Sequence, residues 1–253
     1  MQLIDSHAHI YLPEFDADRA EVLQRAAEKG IATILMPAID TTTHQQMLAV
    51  AAAWPQCRAT MGLHPCSVKE SYNQELAVVE EYLKARKFVA VGEIGLDFYW
   101  DTTFQQQQLE AFEIQIRWAL HYNLPIVIHS RNSMDACIDV VSRFPGVRGV
   151  FHCFSGTVEQ AERILGLRFY LGIGGVVTYK NAGLDGVIKA IGLDAVLLET
   201  DAPYLTPVPF RGKRNESSYL SLIAAKLAEA TSLSMEDVAA ITTQNAKKLF
   251  GLT

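Results

Sequence analysis

The stretch FVAVGEIGLDFYWDTTFQQQQLEAFEIQIRWALHYNLPIVIHSR, residues 88–131, sets the pattern for the whole chain. It opens on a short apolar run, Phe88–Gly92, passes through an amphipathic segment, Phe104–His121, and returns to a β-branched run, Ile126–His129. Strand, helix of 3.6 period and second strand read as one β–α–β unit. Each predicted strand ends on a polar residue, Glu93 in the first and His129 in the second.

The same alternation extends both ways. Strands are predicted at Leu3–Ser6, Ile31–Met36 and Arg58–Gly62 upstream, and at Gly149–His152, Phe169–Ile173 and Ala195–Glu199 downstream, which makes eight. Amphipathic stretches at Ala17–Glu28, Gln74–Arg86 and Val158–Leu165 lie between them, and Gly30 and Gly166 stand where helices would close. The tail, Ser217–Thr253, predicts two more helices, the last opened by a capping box of Ser234 and Asp237. Strict alternation implies a parallel sheet. Eight units in 253 residues fit a (β/α)8 TIM barrel better than a doubly wound sheet, whose glycine-rich first turn is replaced here by SHAHIY. With no linker, repeat or low-complexity stretch, residues 1–253 are expected to form one domain.

Composition narrows the classes. No run approaches the about 18 apolar residues that a membrane span needs. MQLIDSHAHI lacks the basic start and apolar stretch of a secretory signal. Cys57, Cys66, Cys137 and Cys153 show no CxxC spacing, so reduced thiols in a cytoplasmic protein are expected; a monomer is expected as well. A net charge of −6 argues against coating duplex DNA through a broad basic face, but not against gripping one or two phosphates in a cationic pocket.

Barrel enzymes keep their chemistry at the C-terminal strand ends. Here those ends carry His7, His9, His64, Glu93, His129, His152 and Asp201. His7 and His9, two apart on a strand, point the same way and can grip one cation. Asp5 shares their parity and is expected to support them from behind. Glu93 closes an apolar strand, where a carboxylate must be paired, protonated or metal-bound; its two oxygens suit it to bridge two cations. VLLETD is expected to bring Glu199 and Asp201 to one face, while Cys153, of opposite parity to His152, should face the helices. Cys66 is placed near the mouth without a role. His44 and His121 fall in helical stretches, and Lys84 and Arg117 read as solvated helix faces.

SHAH, GLHP, VGEIGLDF, VIHSR, HCFSG and LLETDAPYL, in that order, resemble the TatD-like metal-dependent deoxyribonucleases of the amidohydrolase superfamily, from Asp5 to about Tyr219. The resemblance implies two divalent cations (zinc, manganese or magnesium). His7, His9, Glu93 and Asp201 would hold one, and Glu93, His129 and His152 the other. No lysine occupies a strand end to bridge the cations, which favours the nuclease-like branch over dihydroorotase-like or phosphotriesterase-like enzymes. Two departures are expected at the substrate rim: Cys66 after GLHP, where a further His is common, and Ser217 after Arg214-Asn215-Glu216, where a Pro is common soon after the Asn.

The implied activity is hydrolysis of phosphodiester bonds in DNA, at a single strand or 3′ end, by a water activated between the two metals. Asp201 is expected to act as general base, with Glu93 bridging. Arg131, which shares parity with His129, would hold a phosphate oxygen, and His64 would contact the same phosphate or protonate the leaving group. Two other readings use the same ligands: a metal-dependent amidohydrolase or lactonase acting on a small molecule, and a non-catalytic barrel that binds metal or nucleic acid.

Overall fold

The computed structural model describes residues 1–252. Eight parallel strands run in chain order: β1 (Leu3–Asp5), β2 (Ile31–Met36), β3 (Cys57–Ala59), β4 (Val91–Asp97), β5 (Ile126–Arg131), β6 (Gly149–Phe151), β7 (Tyr170–Ile173) and β8 (Val196–Leu198). Helices α1 (Arg19–Glu28), α2 (His44–Ala53), α3 (Tyr72–Ala85), α4 (Gln105–His121), α5 (Met134–Ser142), α6 (Val158–Gly166) and α7 (Leu184–Ile191) alternate with them; α8 (Leu220–Thr231) and α9 (Met235–Phe250) complete the chain. This is the (β/α)8 barrel that the alternation predicts.

Regular ladders join β1–β2–β3 and β4 through β8. The two seams between these sheets are carried by single bridges. At one, Met61 N–H donates to Ala90 and Gly92 N–H to Met61. At the other, Ser6 N–H donates to Leu198, Asp201 N–H to His7 and His9 N–H to Ala202. The second seam therefore sets His7 and His9 against Asp201 through backbone bonds.

Ile4, Leu35, Ala90, Val127, Val150 and Leu197 form an apolar cluster with Ala246, Leu249 and Phe250 of α9, which closes one end of the barrel. Two residues beyond Val127, Val150 and Leu197 stand His129, His152 and Glu199, on the same faces by the period-2 rule. The apolar layer thus floors a polar site at the C-terminal ends of the strands.

Strand β4 departs from expectation. The apolar run suggested a strand closing at Gly92, yet it runs from Val91 to Asp97 and pairs with β5 through Ile94, Gly95, Leu96 and Asp97. Glycine permits this: a Cβ at Gly95, whose φ is +136°, would strike the His129 carbonyl, and one at Gly92 would meet Val127. β3 is shorter than predicted, and only Met61 continues toward β4. Ser234 caps α9 by accepting the Asp237 N–H, but the expected capping box is not completed, because Asp237 accepts from the Ser234 hydroxyl and not from its backbone N–H. Gly166 instead lies inside α6, and Arg168 takes the left-handed turn beyond it. Lys84 and Arg117 pair with Glu80 and Glu113 on helix surfaces.

Candidate metal centre

Glu93 lies at the centre of the mouth, 2% exposed, and its two oxygens face different groups. Oε2 is 3.1 Å from His7 Nε2 and 3.7 Å from His9 Nε2. Oε1 is 2.9 Å from His129 Nδ1, 2.9 Å from His152 Nε2 and 3.2 Å from His64 Nε2. Asp201 Oδ1 stands 3.6 Å from both His7 and His9 Nε2. All five strand-end histidines converge on one carboxylate. His44, buried in α2 against Tyr82, and His121, on the surface of α4, lie elsewhere.

The ring tautomers are set from behind. Tyr11 donates its hydroxyl to the Pro37 carbonyl, so it accepts from His9 Nδ1, 3.1 Å away, and frees Nε2 for the site. Asp97 takes His129 Nε2 at 2.9 Å, which frees Nδ1. Glu199 lies 3.5 Å from His152 Nδ1 and accepts the Cys153 N–H. His64 Nδ1 accepts the Cys66 N–H, so its proton sits on Nε2. Except at His64, whose site-facing nitrogen carries the proton, such partners orient the imidazoles for ligation.

Electrostatics agree. Burial penalises the Glu93 charge, but His152, His64, His7 and His129 outweigh it and hold the carboxyl well below the usual range. Asp201 is likewise lowered against burial by His9, His7 and His152. Burial, and then His152, pushes His7 down against the pull of Glu93, and its ring stacks on that of His152 at 3.9 Å and 9°. Burial opposes charge on His152 too, yet Glu93 and Glu199 lift it well above the ordinary value.

The donor set fits divalent cations. Donor atoms of His7, His9 and Asp201 lie within 4.8 Å of one another, as do those of His7, Glu93 and His152, and of His64, Cys66 and His129. Neither ring nitrogen of buried His7 has a hydrogen-bond partner. A buried polar atom without a partner is costly unless something else satisfies it, and imidazole with carboxylate suits zinc or manganese.

The chain matches the family described as TatD related DNase over residues 4–251. The chain belongs to that family. The metal-dependent hydrolase YabD of Bacillus subtilis is 39% identical over 251 residues, covering 98% of each chain. The TatD of Erwinia tasmaniensis, named a 3′-5′ ssDNA/RNA exonuclease, is 31% identical over 259 residues, covering 99% of this chain and all of its own. The crystal structure of the TatD homologue YjjV of Escherichia coli superposes with a TM-score of 0.94 at 33% identity, covering 99% of this chain and 98% of that one. The fold and the metal-dependent hydrolase class of this TatD family member rest on these likenesses.

Several expected placements change within this TatD family site. Glu199 and Asp201 do not share a face: Asp201 takes a left-handed φ of +56°, which turns it to His7 and His9 and leaves Glu199 behind His152. Asp5 supports no ring; it accepts from the N–H and hydroxyl of Thr200 and braces the β1–β8 seam. Cys153 lines the mouth cavity instead of facing the helices, because φ +48° breaks the strand parity there. Cys66 lines the same cavity, so that departure does lie at the mouth. The segment before Ser217 does not. Arg214 pairs with Asp18, Asn215 holds the Thr200 and Tyr204 carbonyls, and Glu216 pairs with Arg25.

Asp97 and Tyr11 escaped the sequence reading. Asp97 shares the parity of Glu93, a signal that a strand ending at Gly92 hides and that β4, running to Asp97, restores. Nothing in the sequence points to Tyr11. Gln115 of α4, which holds both backbone groups of Leu63 and so fixes the loop carrying His64, was equally hidden inside an amphipathic helix.

Proposed function

We propose that this chain is a two-metal phosphodiesterase that cleaves single-stranded DNA from an end, the 3′ end by likeness to the Erwinia exonuclease. The observation that carries the reading is the division of Glu93, with Oε2 toward His7 and His9 and Oε1 toward His129 and His152. In this reading His7, His9, Glu93 and Asp201 hold one cation, and Glu93, His129 and His152 the other.

Two such cations supply Lewis acidity and an acidified water when bound. Asp201, kept ionised by its imidazole neighbours, accepts the proton of the attacking water at its carboxylate. Arg131, exposed at the rim of the same cavity, takes a non-bridging phosphate oxygen through its planar fork. His64 carries its proton on Nε2, the nitrogen that faces the site, and donates it in a hydrogen bond to a phosphate oxygen of the substrate. The cavity of about 830 Å³ gives room for a strand end beside these residues.

The test is nucleotide release from a 3′-labelled single-stranded oligonucleotide with Mg²⁺ or Mn²⁺, and with EDTA. Release that needs metal and is lost in folded Asp201→Asn and Glu93→Ala proteins supports the reading. No release by metal-loaded wild type, or equal release by both variants, overturns it and turns attention to small esters and amides.

A further inference from the structure

The rim of the mouth carries large apolar side chains in the open. Trp100 is 67% exposed and Tyr99 52% exposed, both in the loop after β4. Tyr204 is 49% exposed in the loop after β8, its ring centroid 6.1 Å from that of His9. Exposed aromatics beside a polar cavity mark a binding surface. Trp100, Tyr204 and Arg131 line the same cavity as Glu93 and Asp201.

Arg131 links the rim to the site. Its guanidinium lies 4.0 Å from the Tyr99 ring centre and 5.0 Å from that of Trp100, and it forms no ion pair among the described residues. The rings position the cation without neutralising it. A phosphate bound there would place its neighbouring base beside Trp100. Tyr204 stands near His9, on the side of Asp201.

We infer that Trp100 and Tyr204 are base-stacking subsites that receive unpaired nucleobases on either side of the phosphate held at the metal centre. This rests on the phosphodiesterase reading for the position of that phosphate. The ligand class is single-stranded nucleic acid with little sequence preference, because every base has a π-face to stack. A paired base is already stacked in its duplex and cannot reach either ring. Selection for single strands then comes from the two rims, and the metal ligands contribute none of it.

The test uses metal-loaded wild type and a short phosphorothioate oligothymidylate, which resists hydrolysis, beside a phosphorothioate strand of equal length built from abasic units. The chain has three tryptophans, and Trp54, just past the end of α2, and Trp118 of α4 are both partly buried and do not line the mouth cavity. Thymidylate should quench the fluorescence and bind more tightly, and the abasic strand should do neither. Trp100→Ala should abolish the quench, and it and Tyr204→Ala should each weaken thymidylate binding about 5- to 150-fold. Trp100→Phe should restore the affinity without the quench. Equal affinity for the two strands, or thymidylate affinity unchanged in Trp100→Ala, overturns the inference. Nucleotide release from an ordinary oligonucleotide is read separately. Release without base-dependent binding would sink the subsites and leave the phosphodiesterase reading, and base-dependent binding without release would do the reverse.

Discussion

Asp97 holds His129 by the nitrogen that faces away from the site: Oδ2 lies 2.9 Å from Nε2, while Nδ1 faces Glu93 Oε1 at the same distance. Asp97 is itself pinned, accepting the Tyr99 and Trp100 N–H groups at Oδ1 while its own N–H donates to Gln108. Asp97→Ala should therefore free the ring to rotate and lower affinity for the cation proposed at His129 by about 10- to 100-fold. Titration of the metal-free protein against a competing chelator checks this. Wild-type affinity in a folded variant would show that Asp97 is merely structural.

Glu93 gathers five imidazoles around one buried charge, and divalent cations would take over that role. A ligand that binds only the folded state raises stability by mass action. Metal removal with EDTA should thus lower the Tm of wild type, and re-addition should restore it. Glu93→Ala should show almost no metal-dependent shift. A shift of wild-type size in that variant would place the cation elsewhere.

Away from the site, Glu216 receives a forked bond from Arg25 at 2.9 and 2.6 Å and a third from the Ser218 hydroxyl. Burial opposes its charge, but Arg25 and Ser218 hold the carboxyl below the ordinary value. A depressed carboxyl stabilises the fold above the unfolded pKa of about 4.3, and that stability is lost as pH falls through the lower folded value. Glu216→Gln should cost about 2 kcal/mol at pH 7, less than a fully buried pair because Arg25 is 43% exposed. The gap between wild type and variant should close below pH about 4. Thermal melts from pH 7 to pH 3 measure it, and a gap constant with pH would refute the pairing.

The barrel and the gathering of seven polar strand-end residues at one mouth were legible because two periods announce them. Apolar runs of period 2 and helices of period 3.6 fix the alternation, and alternation fixes which strand end each His, Glu or Asp occupies. Those periods do not hold where the backbone turns out of them. Asp201 and Cys153 take left-handed turns that no parity rule anticipates. Gly92 and Gly95 let β4 continue past a charge that, by composition, looked like its end. Contacts between distant segments were also hidden. Arg214 and Asp18 are 196 residues apart, and nothing local distinguishes their bond from a phosphate contact at the rim.

Gly172 and Glu199 are coupled by space. A Cβ at Gly172 in β7 would strike the Glu199 carboxylate and come within 3.1 Å of the His152 Cα. The Glu199 side chain is fully buried and fills the place a larger residue would need. Gly172→Ala should cost about 1–3 kcal/mol, as overpacking does in well-packed interiors. It should also push Glu199 from His152 Nδ1 and weaken metal binding. Glu199→Ala removes the obstacle together with the ring's partner. The two effects should then be non-additive: Gly172→Ala should cost less in the Glu199→Ala background, with an interaction of about 0.5–3 kcal/mol. Denaturant unfolding of the wild type, both single variants and the double variant gives that interaction directly. Simple additivity would mean that the β7 backbone shifts to admit the methyl group, and that Glu199 keeps its hold on His152 by some other route.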